Sequence, residues 1–210
     1  LAMNPELVEY GLDHLFDFAY ENTVRIYEAI PGRVNVSYVA EDFGSQESLL
    51  ISPRQIRTIF IPRMKRMMDL AHSAGAYVFF HSDGAVRKII PDMIEAGIDV
   101  LNPIQWRCVG MDRAGLKRDF GDQIVFHGAV DNQQTLPFGT VEDVVEEVIT
   151  NIEVLGAGGG YIIAPCHNIQ ANTPPENIVA MYQAPRTLAE PPGSLVARLS
   201  YRRQKMAGTA

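Results

Sequence analysis

Three clusters of polar residues in the 210-residue chain have types and spacing suited to chemistry. The first is His81-Ser82-Asp83-Gly84, at the end of the apolar run Tyr77–His81. Residues two apart on a strand face the same way, so an imidazole and a carboxylate share one side. Such a pair can hold a metal ion or move a proton. It can equally be structural, with Asp83 capping a helix that begins near Ala85 and His81 bonding a backbone carbonyl. The second cluster is Glu41-Asp42, two adjacent acids after Val34–Ala40. They can bind a cationic ring nitrogen, hold a proton, or stay solvated in a loop. The third is Pro165-Cys166-His167-Asn168-Ile169-Gln170, between the run Gly160–Ala164 and a helix start at Thr173. Polar loops of this density at a strand end are where binding and catalytic residues concentrate. Cys166 is a thiolate ligand or an inert small hydrophobe, and His167 is the stronger candidate for substrate binding. Gln46, Gln105 and Asp131 are supporting donors and acceptors. Trp106 reads as a pocket wall for a flat ligand or as rim packing. His127 falls inside a strand pattern and reads as packing, while His14 and His72 fall in helix patterns and read as surface.

These residues need elements to position them. Five short apolar runs, Val34–Ala40, Tyr77–His81, Val100–Asn102, Ile124–Gly128 and Gly160–Ala164, are continuous rather than alternating, as expected of parallel strands covered on both faces. Helix patterns fill the gaps. Ser52-Pro53-Arg54-Gln55 supplies an N-cap, a proline at N1 and a glutamine at N3, predicting a helix to Ser73 with a stop at Gly75. Further helices are predicted over Val86–Glu95, after Asp112, after Thr140, after Thr173, and at the N-terminus over Pro5–Ala29. Strict alternation implies right-handed crossovers and a parallel sheet. No strand is followed by a glycine-rich phosphate loop, and each ends in polar residues, which favours a (β/α)8 barrel over an open doubly wound sheet. Five units out of eight make an incomplete barrel, and Leu1-Ala2-Met3-Asn4 reads as the interior of a longer chain. Residues 1–183 are expected to form the partial barrel. Residues 184–210, rich in proline, arginine and alanine, are expected to be an irregular or disordered tail with a short helix near Leu195–Gln204.

The composition, 47% hydrophobic and 20% charged with a net charge of −7, is globular and argues against nucleic-acid or anionic-membrane partners. No apolar run reaches the roughly 18 residues a membrane helix needs. Two cysteines without a secretory signal suggest a soluble protein of the reducing cytoplasm.

Several segments carry a family resemblance in their order and spacing. They are Glu41-Asp42-Phe43-Gly44 with Gln46, Leu50-Ile51-Ser52-Pro53, Pro62-Arg63-Met64-Lys65, His81-Ser82-Asp83-Gly84, Gly97 through Pro103, Phe120-Gly121-Asp122, Gly128-Ala129-Val130-Asp131, and Gly158 through Ile178. Together they resemble the uroporphyrinogen decarboxylase (URO-D) superfamily, which also contains corrinoid- and zinc-dependent methyltransferases. The resemblance implies a (β/α)8 barrel of which this chain holds the fourth to eighth units. In the methyltransferase branch, zinc is bound by a His-x-Cys pair and a later cysteine. The residues at those positions are His81, Asp83 and Cys166, which become the expected metal ligands. Asp83 departs from the pattern, and a carboxylate is a harder ligand that passes less electron density to a bound thiolate. In the decarboxylase branch no metal is used, and His167 matches the histidine near the last strand. The loop Pro165–Gln170 departs from that branch's glycine-histidine-glycine form.

Catalytic roles are accordingly expected of His167, Asp83 and Glu41, and substrate binding of Asp42, Gln46, Gln105, Asp131, Asn168 and Gln170. The preferred reading is methyl transfer linked to a corrinoid, with a zinc site at the barrel mouth. The alternatives are cofactor-free decarboxylation of uroporphyrinogen or a related tetrapyrrole, and a truncated, non-catalytic half-barrel. The expected partners are a small-molecule, tetrapyrrole or corrinoid substrate, a corrinoid protein, and a second copy of the chain in a homodimer.

Overall fold

The computed structural model describes residues 3–188, and these fall into two compact units, one ending at His127 and the other beginning at Gly128. Most of the expected tail, with its helix near Leu195–Gln204, lies outside the described residues.

Five strands, β1 (Val36–Ala40), β2 (Tyr77–His81), β3 (Val100–Asn102), β4 (Val125–Val130) and β5 (Tyr161–Pro165), form one sheet in chain order. β1 pairs with β2, β2 with β3 and β3 with β4 in parallel, with Ala40 beside His81, His81 beside Asn102, and Leu101 beside Phe126.

In the first unit, helix α1 (Pro5–Ala29) has proline at its start, where a missing N–H costs nothing. The segment after β1 begins as expected. Ser52 accepts the Gln55 N–H and opens α2 (Pro53–Gln55). A single smooth helix does not follow. A π-helical turn (Ile56–Phe60) intervenes before α3 (Ile61–Ser73). Pro62 has no N–H to give the carbonyl four residues back, so an ordinary ladder cannot run through it. The Ile61 N–H instead reaches the Ile56 carbonyl. A 3-10 turn (Arg87–Ile89) leads into α4 (Ile90–Ala96), which Gly97 ends in a left-handed conformation, φ 112°. Asp112 accepts the Gly115 N–H at the start of α5 (Arg113–Phe120).

Val78 and Phe80 of β2 are buried, as are Met64, Met68, Ile90, Met93, Leu101 and Phe126, and Phe43 meets Phe60 edge to face. The other face of β1 and β2 carries Val36, Tyr38 and Tyr77, all more than half exposed. Strands with helices on one side and bare apolar residues on the other are what part of a barrel wall presents.

The second unit contains the short helix α6 (Thr135–Phe138), then α7 (Val141–Leu155) and α8 (Pro175–Thr187). Thr140 and Asp143 form a reciprocal capping box on α7. Val144, Val145, Val148 and Ile149 of α7 pack with Ala180, Met181 and Ala184 of α8. Helix α8 thus continues past the expected boundary at 183, because Ala184 still has a core to enter. Strand β4 also runs past Gly128. Gly128 and Ala129 take positive φ, and their carbonyls are held by side chains: Tyr161 Oη donates to the first at 2.7 Å and Asn151 Nδ2 to the second at 2.7 Å. No helix among the described residues is long and apolar enough to cross a membrane.

Candidate metal centre

The loops that follow β1 and β2 lie back to back. A Cβ on Gly44 would stand 2.6 Å from the Asp83 carbonyl oxygen, and one on Gly84 would stand 2.5 Å from the Gly44 carbonyl carbon. Only a glycine pair allows two backbones this close. The approach is fixed by three bonds. Phe43 N–H donates to the buried Ser82 Oγ at 3.0 Å, Asp83 N–H to Asp42 Oδ1 at 3.0 Å, and Ala85 N–H to the Ser45 carbonyl at 2.8 Å. From the β3 side, Gln105 Oε1 accepts the Gly84 N–H at 2.6 Å.

This packing brings Asp42, Asp83 and His81 together. His81 Nε2 is 3.6 Å from Asp42 Oδ1 and 3.9 Å from Asp83 Oδ2, and one donor atom from each residue lies within 4.8 Å of the others. The side chains of His81, Asp83 and Asp42 are 17%, 25% and 57% exposed, so the group is open on the Asp42 side. Zinc bonds of about 2.0–2.2 Å set tetrahedral donors roughly 3.3–3.6 Å apart, so a slight contraction of this triad fits the ion. The donor set suits it too. Two carboxylates balance a doubly charged cation, and imidazole is a borderline ligand that zinc accepts readily.

His81 does not bond a backbone carbonyl through its ring. Its Nδ1 is 2.6 Å from Asn102 Oδ1, and Asn102 Nδ2 is 2.7 Å from His127 Nδ1. The turn after Asp83 opens at Val86 with no side-chain cap, so Asp83 does not serve as its N-cap.

The electrostatics are those of an acidic strand end. Burial, then the neighbouring Asp42 charge, pushes the Glu41 carboxyl above its ordinary 4.5. Burial first, and then Asp42 and Asp83, push the Tyr38 phenol up. Burial lowers the pKa of His127. Because the folded pKa of Glu41 is raised, its contribution to stability is complete below 4.5 and is lost as pH rises through the folded value. Glu41→Gln, which mimics the protonated acid, is therefore expected to melt higher than the native chain at neutral pH. The gap should close on acidification and vanish below 4.5. Paired thermal melts across that range check this, and a gap independent of pH would contradict it.

The remaining expected site residues are placed as follows. Gln46 is exposed; its carbonyl accepts from Val109 N–H at 3.0 Å and its side chain from the Cys108 thiol at 3.3 Å. Trp106 lies under Arg107 and Arg113, 4.3 and 4.1 Å from its ring centroid. In the second unit Asp131 is buried and its carboxylate accepts from the Gln133 and Thr135 N–H groups, which ties it to the start of α6. The buried Glu147 accepts from the Asp131 N–H at 2.6 Å and from Thr135 Oγ1. Cys166 is buried at the end of β5, and its N–H donates to the Val130 carbonyl at 2.8 Å. His167, Asn168 and Gln170 are exposed, with Gln170 Nε2 donating to the Asn168 carbonyl at 3.0 Å. His14 is exposed against Tyr10, and His72 Nε2 is 2.9 Å from Asp99 Oδ2.

The chain as a whole has relatives. A family described as uroporphyrinogen decarboxylase (URO-D) matches residues 2–188. No curated protein sequence matches the chain. Among solved structures it is similar to a methyltransferase from Methanosarcina mazei, with a TM-score of 0.70 and 24% identity, over 89% of this chain and 51% of that one. The chain thus spans about half the length of that structure, and the likeness shows the fold: a parallel α/β sheet that is part of a TIM-type barrel.

Proposed function

Because the chain belongs to the uroporphyrinogen decarboxylase family, we propose that it carries the metal centre of a methyl-transfer enzyme, with zinc held by Asp42, His81 and Asp83. The observation that carries this reading is the triad, an imidazole and two carboxylates that a glycine pair and three hydrogen bonds from backbone N–H groups bring together. Two like charges held this close are unfavourable unless something positive is shared between them. The fold is that of a protein named as a methyltransferase, which adds support.

Zinc in such a site supplies a positive charge that lowers the pKa of an acceptor thiol and favours its nucleophilic form. The chain's own residues do the rest. His81, Asp83 and Asp42 would hold the ion, with the two carboxylates balancing its charge. The open side at Asp42 leaves room for the acceptor. Glu41, half-buried and of raised pKa, is the neighbouring carboxyl suited to hold the proton the thiol gives up. With carboxylates where softer ligands could stand, activation of the thiol is weaker than at a thiolate-rich site. The methyl donor this calls for is a corrinoid or a corrinoid-bearing protein, and the assembly is a homodimer. Neither Cys108 nor Cys166 forms a disulfide, in keeping with the cytoplasm as its place of work.

The second reading, cofactor-free decarboxylation of a tetrapyrrole, would rest on His167 in the exposed loop of the second unit. Glu41, Asp42 and Asp83 weigh against it, since three acids at two adjacent strand ends repel a polycarboxylated substrate. Incubating the zinc-loaded chain with methylcobalamin and a small thiol tests the proposal. Zinc-dependent formation of the methyl thioether, seen by mass spectrometry, is expected. A zinc-loaded chain that leaves the thiol unmethylated would overturn it.

A further inference from the structure

Resting on that metal reading, we infer that Asn102 and His127 are positioning residues that hold His81 with its proton on Nδ1 and its Nε2 lone pair turned to the cation. The three side chains occupy one rung of the sheet. Asn102 is the register partner of His81, and Leu101 beside Phe126 puts His127 next to Asn102. They form a continuous chain, His81 Nδ1 to Asn102 Oδ1 at 2.6 Å and Asn102 Nδ2 to His127 Nδ1 at 2.7 Å.

With the Asn102 amide placed so that Oδ1 faces His81 and Nδ2 faces His127, one set of protons satisfies the chain. An amide oxygen only accepts, so the Nδ1 facing it carries hydrogen. The neutral ring then has its lone pair on Nε2, the atom that faces Asp42 and Asp83. An amide NH2 only donates, so His127 Nδ1 accepts and that ring is neutral, in keeping with its half-buried place against Phe79. Without His127 to accept, the amide could turn over. Its NH2 would then face His81 and move the proton to Nε2, where it would block a cation. Ligating histidines are commonly oriented through their other nitrogen, and loss of that partner typically weakens metal binding about 10- to 100-fold.

The test uses the full chain. Zinc and cobalt(II) affinities are measured for the native chain, Asn102→Ala, Asn102→Asp and His127→Phe, each with its thermal melt. Failure of the native chain to bind either ion would sink the metal reading itself. If the native chain binds, Asn102→Ala is expected to bind about 10- to 100-fold more weakly. Asn102→Asp, which keeps an acceptor for Nδ1–H, should restore most of the loss. His127→Phe keeps an aromatic ring against Phe79 and should weaken binding by a smaller factor. Nitrogen-15 spectra of histidine-labelled, zinc-loaded native chain provide a readout that does not depend on any variant folding. Protonated Nδ1 and ligated Nε2 at His81 are expected. Ligation through Nδ1, or an Asn102→Ala chain with native cobalt affinity and spectrum, would overturn the inference.

Discussion

Gly84→Ala is expected to destabilise the chain by about 2–5 kcal/mol and to abolish zinc binding, whereas Gly75→Ala costs about 1–2 kcal/mol and spares it. The two glycines have nearly the same backbone, φ 89° and 77°. Each substitution therefore pays the left-handed strain of an L residue, about 1–2 kcal/mol. The difference is what the new methyl meets. At Gly75 it meets nothing within 4 Å, while at Gly84 it meets the Gly44 carbonyl carbon and the Ser45 carbonyl oxygen at 2.5 Å. Backbone cannot swing aside as a side chain can, so the loops must part, with an overpacking cost of about 1–3 kcal/mol. Parting them stretches the Asp83 N–H to Asp42 bond and separates two of the three metal donors. Denaturant melts and zinc titrations of both variants read the two effects. Equal costs at the two glycines would show that the close approach of the loops does not govern the site.

The second large effect is expected at His81. His81→Ala should weaken zinc binding by more than about 100-fold, beyond the range for loss of an outer-shell partner. It removes the nitrogen donor and leaves two carboxylates, one of them 57% exposed and well hydrated. His72→Ala is the matched control. His72 also sits near a carboxylate, with Nε2 2.9 Å from Asp99 Oδ2, but that carboxylate is already engaged by the Val78 N–H at 2.6 Å. Zinc affinity in His72→Ala should equal that of the native chain. A similar loss in both variants would mean that the ion binds by surface charge alone.

Much of this is legible in the amino-acid sequence. The bounds of α1, β2 and β3 follow from proline placement, apolar runs and the polar residues that end them. The caps at Ser52, Asp112 and Thr140 form as their side chains dictate. What escaped the sequence depends on contacts between distant segments. The π-helical turn at Ile56–Phe60 arises from Pro62 within a pattern that otherwise reads as one helix. Helix α6 is four residues long, too short to leave a periodic trace. The extension of β4 through Ala129 depends on Asn151 and Tyr161, more than twenty residues away. At the candidate site, the strand-end rule marked His81 and Asp83 as a pair. Asp42 reads from sequence as a substrate contact, and its place beside His81 follows only from the Gly44–Gly84 approach, 40 residues apart in sequence. Asn102 and His127 read as a strand end and as packing, because strand register is invisible in a single sequence. Cys166, expected from the resemblance as a ligand, lies in the second unit, and Asp42, His81 and Asp83 lie in the first.

The central claim is that Asp42, His81 and Asp83 form a cation site, and calorimetric titration of zinc into the metal-free chain tests it most directly. Saturation at one zinc per chain is predicted, with the binding heat lost when His81 and Asp42 are both replaced by alanine in a chain that still melts cooperatively. No binding heat in the native chain, or the same heat in the doubly substituted one, would contradict it.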